Sequence, residues 1–398
     1  MDATEDMLGY PLDDHVGLGM DPAYEQLRAA GTLARATLAY GDPTWLATSY
    51  DHVRTVLGDP RFSRAESWHH DEPRIGPERS GLGILAMDPP DHTKLRRMVS
   101  GAFSARRIEP LRARAAELVD DLLTNCGDTF DVVNELAMPL SITMICELIG
   151  VPVDDRGFVF EWAEAFLTTT ALDKDEIVSR VGRMYNYLKD LVDQRIAEPG
   201  TDLISTVTQA WSADPESAIT HEDLVWLGAG LLVAGYETTA SQLANTVYVL
   251  LTTPGKWDEL VRQPELVDSA VEELLRFVPL QTSGAFPRFA TEDVELGGVT
   301  VHKGDAVLPD IVAANRDGRV FGCPADVELA RPRNQHLAFG FGIHHCLGAP
   351  LARVELQVAL AALTRFPRLE LAIDFEQVQW KPGMLVRGPV ELPVRRLG

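Results

Sequence analysis

With 398 residues the chain can bury a sizeable core, as one large domain or as two or three average ones. Its 36 Lys plus Arg against 59 Asp plus Glu leave a net charge of −23, which disfavours nucleic acid or an anionic membrane as partner and leaves a small molecule as the expected ligand. The four cysteines, Cys126, Cys146, Cys323 and Cys346, are scattered rather than closely paired, which suits a reducing compartment better than a disulfide framework.

The opening Met1-Asp2-Ala3-Thr4-Glu5-Asp6 has neither the basic start nor the apolar core of a signal peptide, so a cytoplasmic location is expected. Thr44-Trp45-Leu46-Ala47 reads as a short strand. Asp88-Pro89-Pro90-Asp91 then starts a helix on which His92 and Arg96, four residues apart, share a face. Two side chains that seek an anion result, although an exposed basic helix serving solubility has the same pattern. Helical periodicity continues over Leu111 to Leu123 and Asp175 to Ile196.

From Leu224 to Thr252 runs the longest apolar stretch, interrupted by Glu237, Gln242 and Asn245, and therefore read as a buried core helix rather than a membrane span. Thr220 and Asp223 form a capping box ahead of it, and Pro254-Gly255 stop it. Glu237 is its one formally charged residue. An unpaired carboxylate there costs several kcal/mol or so unless it finds a partner or water. Together with Thr238 it can relay protons, and Gly235 with the Thr hydroxyls permits a local bulge; a solvated helix face is the alternative.

Glu273 and Arg276 stand at i and i+3 on one helix face, a spacing that by itself signals no more than a solvated salt bridge. A run from Asp293 to Pro309, broken by Gly297-Gly298 and Lys303-Gly304, reads as hairpins. The densest signal is Phe339-Gly340-Phe341-Gly342-Ile343-His344-His345-Cys346-Leu347-Gly348, a glycine-rich loop that delivers Cys346 to the N-terminus of an amphipathic helix, Leu351 to Phe366. There the macrodipole and free N–H groups favour a thiolate, and glycines let the backbone approach a flat cofactor such as haem. A buried structural cysteine, a phosphate loop and a zinc site at His344, His345 and Cys346 compete. No lysine follows the glycines, and adjacent residues rarely converge on one metal.

These elements, in this order, resemble the cytochrome P450 family over nearly the whole chain, read as one domain, 1–398. The resemblance implies a mainly α fold with minor β-sheets, the family's triangular prism. It implies haem b (iron protoporphyrin IX), with Cys346 as the metal ligand, Phe339, Gly340 and Gly348 against the cofactor, and His92, Arg96, Arg288 and His344 on the propionates. Glu237 and Thr238 match the acid–alcohol pair, and Glu273 with Arg276 the structural Glu-x-x-Arg. Two departures stand out. Asp326 occupies the place of a network arginine, a role that passes to Arg331, and Phe341 replaces a His between the glycines.

The implied activity is that of a bacterial class I monooxygenase, similar to actinobacterial enzymes that tailor macrolides and other secondary metabolites, hydroxylating or epoxidising a bulky apolar substrate. Oxidative coupling or desaturation, or a non-catalytic haem sensor or carrier, are the alternatives. Substrate contacts are expected from the Ser67 to Leu85 loop with Leu85, from Phe166, Leu232 and Ala234, from Thr282 within Gln281 to Gly284, and from Met384 and Leu385. Electrons are expected from a ferredoxin and its reductase. From Lys94 to Arg114 seven basic residues meet one acid, Glu109, giving +6 locally against −29 elsewhere. Of these, Lys94, Arg97, Arg106, Arg107, Arg112 and Arg114 form the expected ferredoxin dock, solvated helix faces being the alternative.

Overall fold

The computed structural model describes residues 7–12, 17–77, 83–170, 172–214, 218–284 and 286–397. The hexapeptide read for targeting, and residues 78–82 of the loop expected against substrate, lie outside them.

The long helix is His221–Thr252, a residue or two from its expected bounds. Thr220 and Asp223 start it reciprocally: the Asp223 N–H donates to Thr220 Oγ1 at 3.2 Å, and the Thr220 N–H donates to Asp223 Oδ2 at 2.8 Å. Apolar residues cover nearly all its faces, and it is wrapped accordingly by Met138–Ile149, Arg156–Leu167, Lys174–Ala197 and Ala349–Leu363. Its residues anchor the largest core cluster. The expected bulge at Gly235 is not present: the helix carries no assigned break. Gly235 instead admits a neighbour, since a Cβ there would lie 2.6 Å from Ile145 Cδ1.

Helix Asp91–Ser100 carries His92 and Arg96, and the basic helix Ala105–Asn125 packs along Ala349–Leu363, the helix after Cys346. Among the described residues one apolar segment, Val132–Ile149, is long enough to cross a membrane, and more than half of it is buried inside the fold.

Strand Thr44–Ala47 has the expected bounds and pairs antiparallel with Ala34–Thr37 and parallel with Ala306–Pro309. Gly297-Gly298, both at positive φ, close the hairpin Val294–Leu296/Val299–Val301. The second glycine signal does not close another hairpin. After Gly304 the chain leaves Val299–Val301, and Ala306–Pro309 pairs antiparallel with Arg288–Ala290, which sets Arg288 opposite Val307. The sheet thereby delivers Arg288 to the same cavity as Cys346.

Candidate active site

A cavity of about 1070 Å³ lies between the long helix and the cysteine loop. Cys346, Phe339, Gly340, Gly348, His92, Arg96, Arg288 and His344 all line it. Gly340 and Gly342 take positive φ in the loop, and the Cys346 N–H donates to Phe339 O at 2.8 Å. At Gly342 a Cβ would strike the Leu57 carbonyl, so the loop closes against Gly58 only with glycine there.

The Cys346 side chain is exposed, and what it faces is this cavity. Burial pushes its thiol up; the backbone N–H groups of Gly348 and Ala349, with Arg96 and Arg353, pull it down. Helix Ala349–Leu363 thus aims its first amides at the sulphur, the arrangement that stabilises a thiolate once a cation takes the other side.

Around the cavity the cations crowd. The His92 and His344 rings stand 4.4 Å apart, and the buried Nε2 of each lacks a hydrogen-bond partner among the described residues. Burial, then Arg288 and His92, push His344 down to about 3; burial, then Arg96, lower His92. Arg288 is pushed down to about 9 by burial and by Arg64. Arg96 Nη2 donates to His345 O at 2.6 Å. Two unsatisfied buried imidazoles among guanidiniums define a pocket for an anion with more than one oxygen. That donor set fits the two propionates of a haem.

His345 does not join them. Its ring packs near Phe339, so His344, His345 and Cys346 do not converge, and among the described residues no cluster of three metal-ligating side chains forms.

Thr238 and Ala234 line the cavity, and Thr238 Oγ1 donates to Ala234 O at 2.5 Å. Glu237 does not line it. Its carboxylate is buried and paired with Lys381 Nζ at 2.5 Å, while Ser241 Oγ donates to the same oxygen at 3.1 Å. The partner needed by a lone acid in an apolar helix lies 144 residues away.

Leu85, Phe166 and Leu385 also line the cavity, whereas Leu232, Thr282 and Met384 do not. Leu232 turns into the helical core and Leu231 takes the cavity side. Thr282 gives both its N–H and its hydroxyl to Leu385 O, leaving Gln281 and Ser283 to face inward. Met384 is buried, and its neighbour Leu385 takes the wall.

Glu273 and Arg276 are fully buried, joined at 2.8 and 2.7 Å. Arg331 Nε donates to Glu273 Oε2 at 2.9 Å, so Arg331 completes the network; Asp326 contributes only its carbonyl, to Arg276 and Arg331. Arg64 and Glu72, a buried pair at 2.7 Å beside Arg288, escape a reading of the sequence. Nothing in Ser63-Arg64-Ala65 distinguishes that arginine from the chain's other cations.

A thiol backed by helix amides, at a cavity with a cationic rim, defines a protein built around a thiolate-ligated cofactor bearing acidic arms. Comparison with known proteins agrees. A family model described as Cytochrome P450 matches residues 143–374. Nocardicin C N-oxygenase of Nocardia uniformis subsp. tsuyamanensis is 48% identical over 98% of this chain and 98% of its own. Mycinamicin IV hydroxylase/epoxidase of Micromonospora griseorubida is 46% identical over 97% of this chain and 98% of its own. The crystal structure of HinD with NMFT and NO superposes with a TM-score of 0.94 at 46% identity, over 98% of this chain and 100% of that one. The chain belongs to the cytochrome P450 family: it is a monooxygenase, its cofactor is the family's haem-thiolate iron, and it acts on a small molecule.

Proposed function

We propose that residues 1–398 form one monooxygenase domain that holds haem b through Cys346. It uses dioxygen to hydroxylate or epoxidise a bulky, largely apolar secondary metabolite, of macrolide or polyketide type. The observation that carries this is the conjunction at one cavity of an amide-backed Cys346 and the anion-seeking set His92, Arg96, Arg288 and His344. The names of the mycinamicin and nocardicin relatives support a secondary metabolite as substrate, and that of the mycinamicin relative supports hydroxylation or epoxidation.

When bound, the haem supplies the redox centre at which dioxygen is reduced. The chain's residues do the rest. Cys346, held by the Gly348 and Ala349 amides, donates electron density; Phe339, Gly340 and Gly348 lie against the cofactor; the two histidines and two arginines hold its propionates. Thr238 presents a hydroxyl at the cavity face, where it can hold a proton donor in place. Glu237, held by Lys381, does not line that face. Leu85, Phe166, Ala234 and Leu385 bound the substrate with apolar surface.

Electrons arrive from a ferredoxin served by its reductase. The dock is the basic surface of Arg106, Arg107, Arg112 and Arg114, on the helix packed along Ala349–Leu363, with Lys94 and Arg97 on the helix whose Arg96 bonds the cysteine loop. The four cysteines, none in a disulfide, fit a reducing cytoplasm.

The test is the reduced carbonyl difference spectrum. The wild type is expected to show the band typical of thiolate-ligated haem, and Cys346→Ser to lose it while Cys126→Ser, Cys146→Ser and Cys323→Ser keep it. Retention of the band in Cys346→Ser would overturn the assignment.

A further inference from the structure

The Glu237–Lys381 pair joins the long helix to a loop that carries part of the cavity wall. Lys381 opens the loop 381–388, which the Lys381 N–H closes on itself by donating to Gly388 O at 2.9 Å. Midway, Leu385 and Val386 form cavity wall. The long helix grips both ends of this loop. Glu237 takes Lys381 Nζ at 2.5 Å, Asn245 Nδ2 donates to Arg387 O at 2.8 Å, and Gly388 lies so close to Ser241 that a Cβ there would stand 2.6 Å from its hydroxyl.

Towards the cavity the loop is held through its own backbone: the Leu385 N–H donates to Leu167 O at 2.7 Å, the Thr282 N–H and hydroxyl to Leu385 O, and the Thr169 N–H to Gly383 O. Glu237, Ser241 and Asn245 recur every four residues, a single stripe of the helix turned to the loop. Glu237 side-chain exposure is 5% and that of Lys381 17%, so the pair is mostly desolvated, and removing one partner leaves the other charge buried and costly.

We infer that Lys381 is a positioning residue that latches the substrate-facing loop 381–388 onto the long helix, and that holding this wall is the first task of Glu237. The inference rests on the reading of this cavity as the substrate chamber. It also accounts for the turn of the Glu237 carboxylate away from Thr238, its neighbour in sequence. Seating of a substrate against Leu385 and commitment of Glu237 are then linked, because both depend on one ion pair.

The holoenzyme tests it through two readouts. Amide hydrogen exchange reports the opening of 381–388. Binding of clotrimazole, a bulky apolar imidazole, read by its shift of the Soret band, reports the wall. Lys381→Met and Glu237→Gln are each expected to raise exchange in the loop by about tenfold, an opening free energy lowered by ~1.4 kcal/mol, and to weaken clotrimazole binding several-fold.

The double variant is expected to lose little more than either single, since one interaction is removed twice. Lys381→Arg is expected to restore both readouts. Thr238→Ala, on the cavity face of the same helix, is expected to leave loop exchange as in the wild type. Unchanged exchange in Lys381→Met and Glu237→Gln, or fully additive effects in the double variant, would overturn the latch. Failure of the wild type to form a thiolate-type carbonyl band would instead overturn the functional reading, and loop exchange would still decide the latch.

Discussion

Glu355 stands on the helix that follows Cys346, buried, lining the cavity, with Oε2 lacking a partner among the described residues. Burial pushes its carboxyl up to about 8, opposed by the nearby Ser141 hydroxyl. The folded state therefore keeps its proton to higher pH than the unfolded state. Stability from this group is greatest below the ordinary Glu range, falls as pH rises from about 4.5 towards 8, and is flat beyond. Glu355→Gln, neutral at every pH, is expected to match the wild type in melting temperature near pH 4.5 and to exceed it by several degrees at pH 8.5. A difference that does not grow with pH would mean that Glu355 is ionised in the folded protein. The residue escapes a reading of the sequence because nothing in Arg353-Val354-Glu355-Leu356 separates a buried acid from a surface one. Cys346 was legible for the opposite reason: its glycines and its helix start are neighbours in sequence and fix its chemistry locally.

At the scale of elements, the buried Glu273–Arg276–Arg331 network ties helix Val267–Phe277 to the segment before the cysteine loop. Arg276 donates to Asn315, Pro324 and Asp326 carbonyls, and Asn334 Nδ2 to Glu273 Oε2 at 3.1 Å, so one carboxylate is shared by its own helix and the segment 328–334 while its arginine ties in the chain before that segment. Arg331→Met leaves part of that charge uncompensated. It is expected to cost about 3 kcal/mol or more, the range for breaking a buried pair. Urea unfolding read by far-UV circular dichroism measures it, and a loss below about 1 kcal/mol, the ceiling for an exposed pair, would show the network to be dispensable. The pairing of Glu273 with Arg276 was legible from i, i+3 spacing, and the passing of the third role to Arg331 from the family resemblance, but the burial of the network was not, since it depends on chain folding back 58 residues later. The same limit governs the rest of the fold. Helix bounds, the capping box and the strand Thr44–Ala47 follow from local pattern. The destination of Ala306–Pro309 depends on the free edges of distant strands, and side-chain direction at Leu232, Thr282 and Met384 on which side the neighbours pack. In each of those three cases an adjacent residue faces the cavity, because a small error of phase turns a side chain from one face to another.

Over the whole molecule, the net charge of −23 conceals a basic surface beside the cysteine-loop helix. Folding alters which of its cations can reach a partner. Arg112 Nε is bound by Glu109 at 3.0 Å and its Nη2 by Gln357 Oε1 at 3.0 Å; Arg114 is bound by Glu147 at 2.9 Å. Lys94 is half-buried, whereas Arg97, Arg106 and Arg107 are exposed. Arg107 makes one contact to a neutral group, Thr206 Oγ1, at 3.3 Å. The field of such a patch would steer an acidic partner towards it and would fade as salt screens it, over a Debye length of about 8 Å at physiological ionic strength. Reversing an exposed charge therefore acts on the encounter and not on the cavity. Arg107→Glu is expected to slow the first electron transfer from ferredoxin by about tenfold at low salt, within the range of electrostatic steering, and to flatten its dependence on salt. Arg112→Glu, whose charge is already shared with Glu109, is expected to slow it less. Reduction by dithionite and substrate-induced spin shift are expected to be the same in all three proteins. Stopped-flow reduction at several salt concentrations decides the matter: equal ferredoxin rates and equal salt slopes in the wild type and Arg107→Glu would remove this surface as the dock.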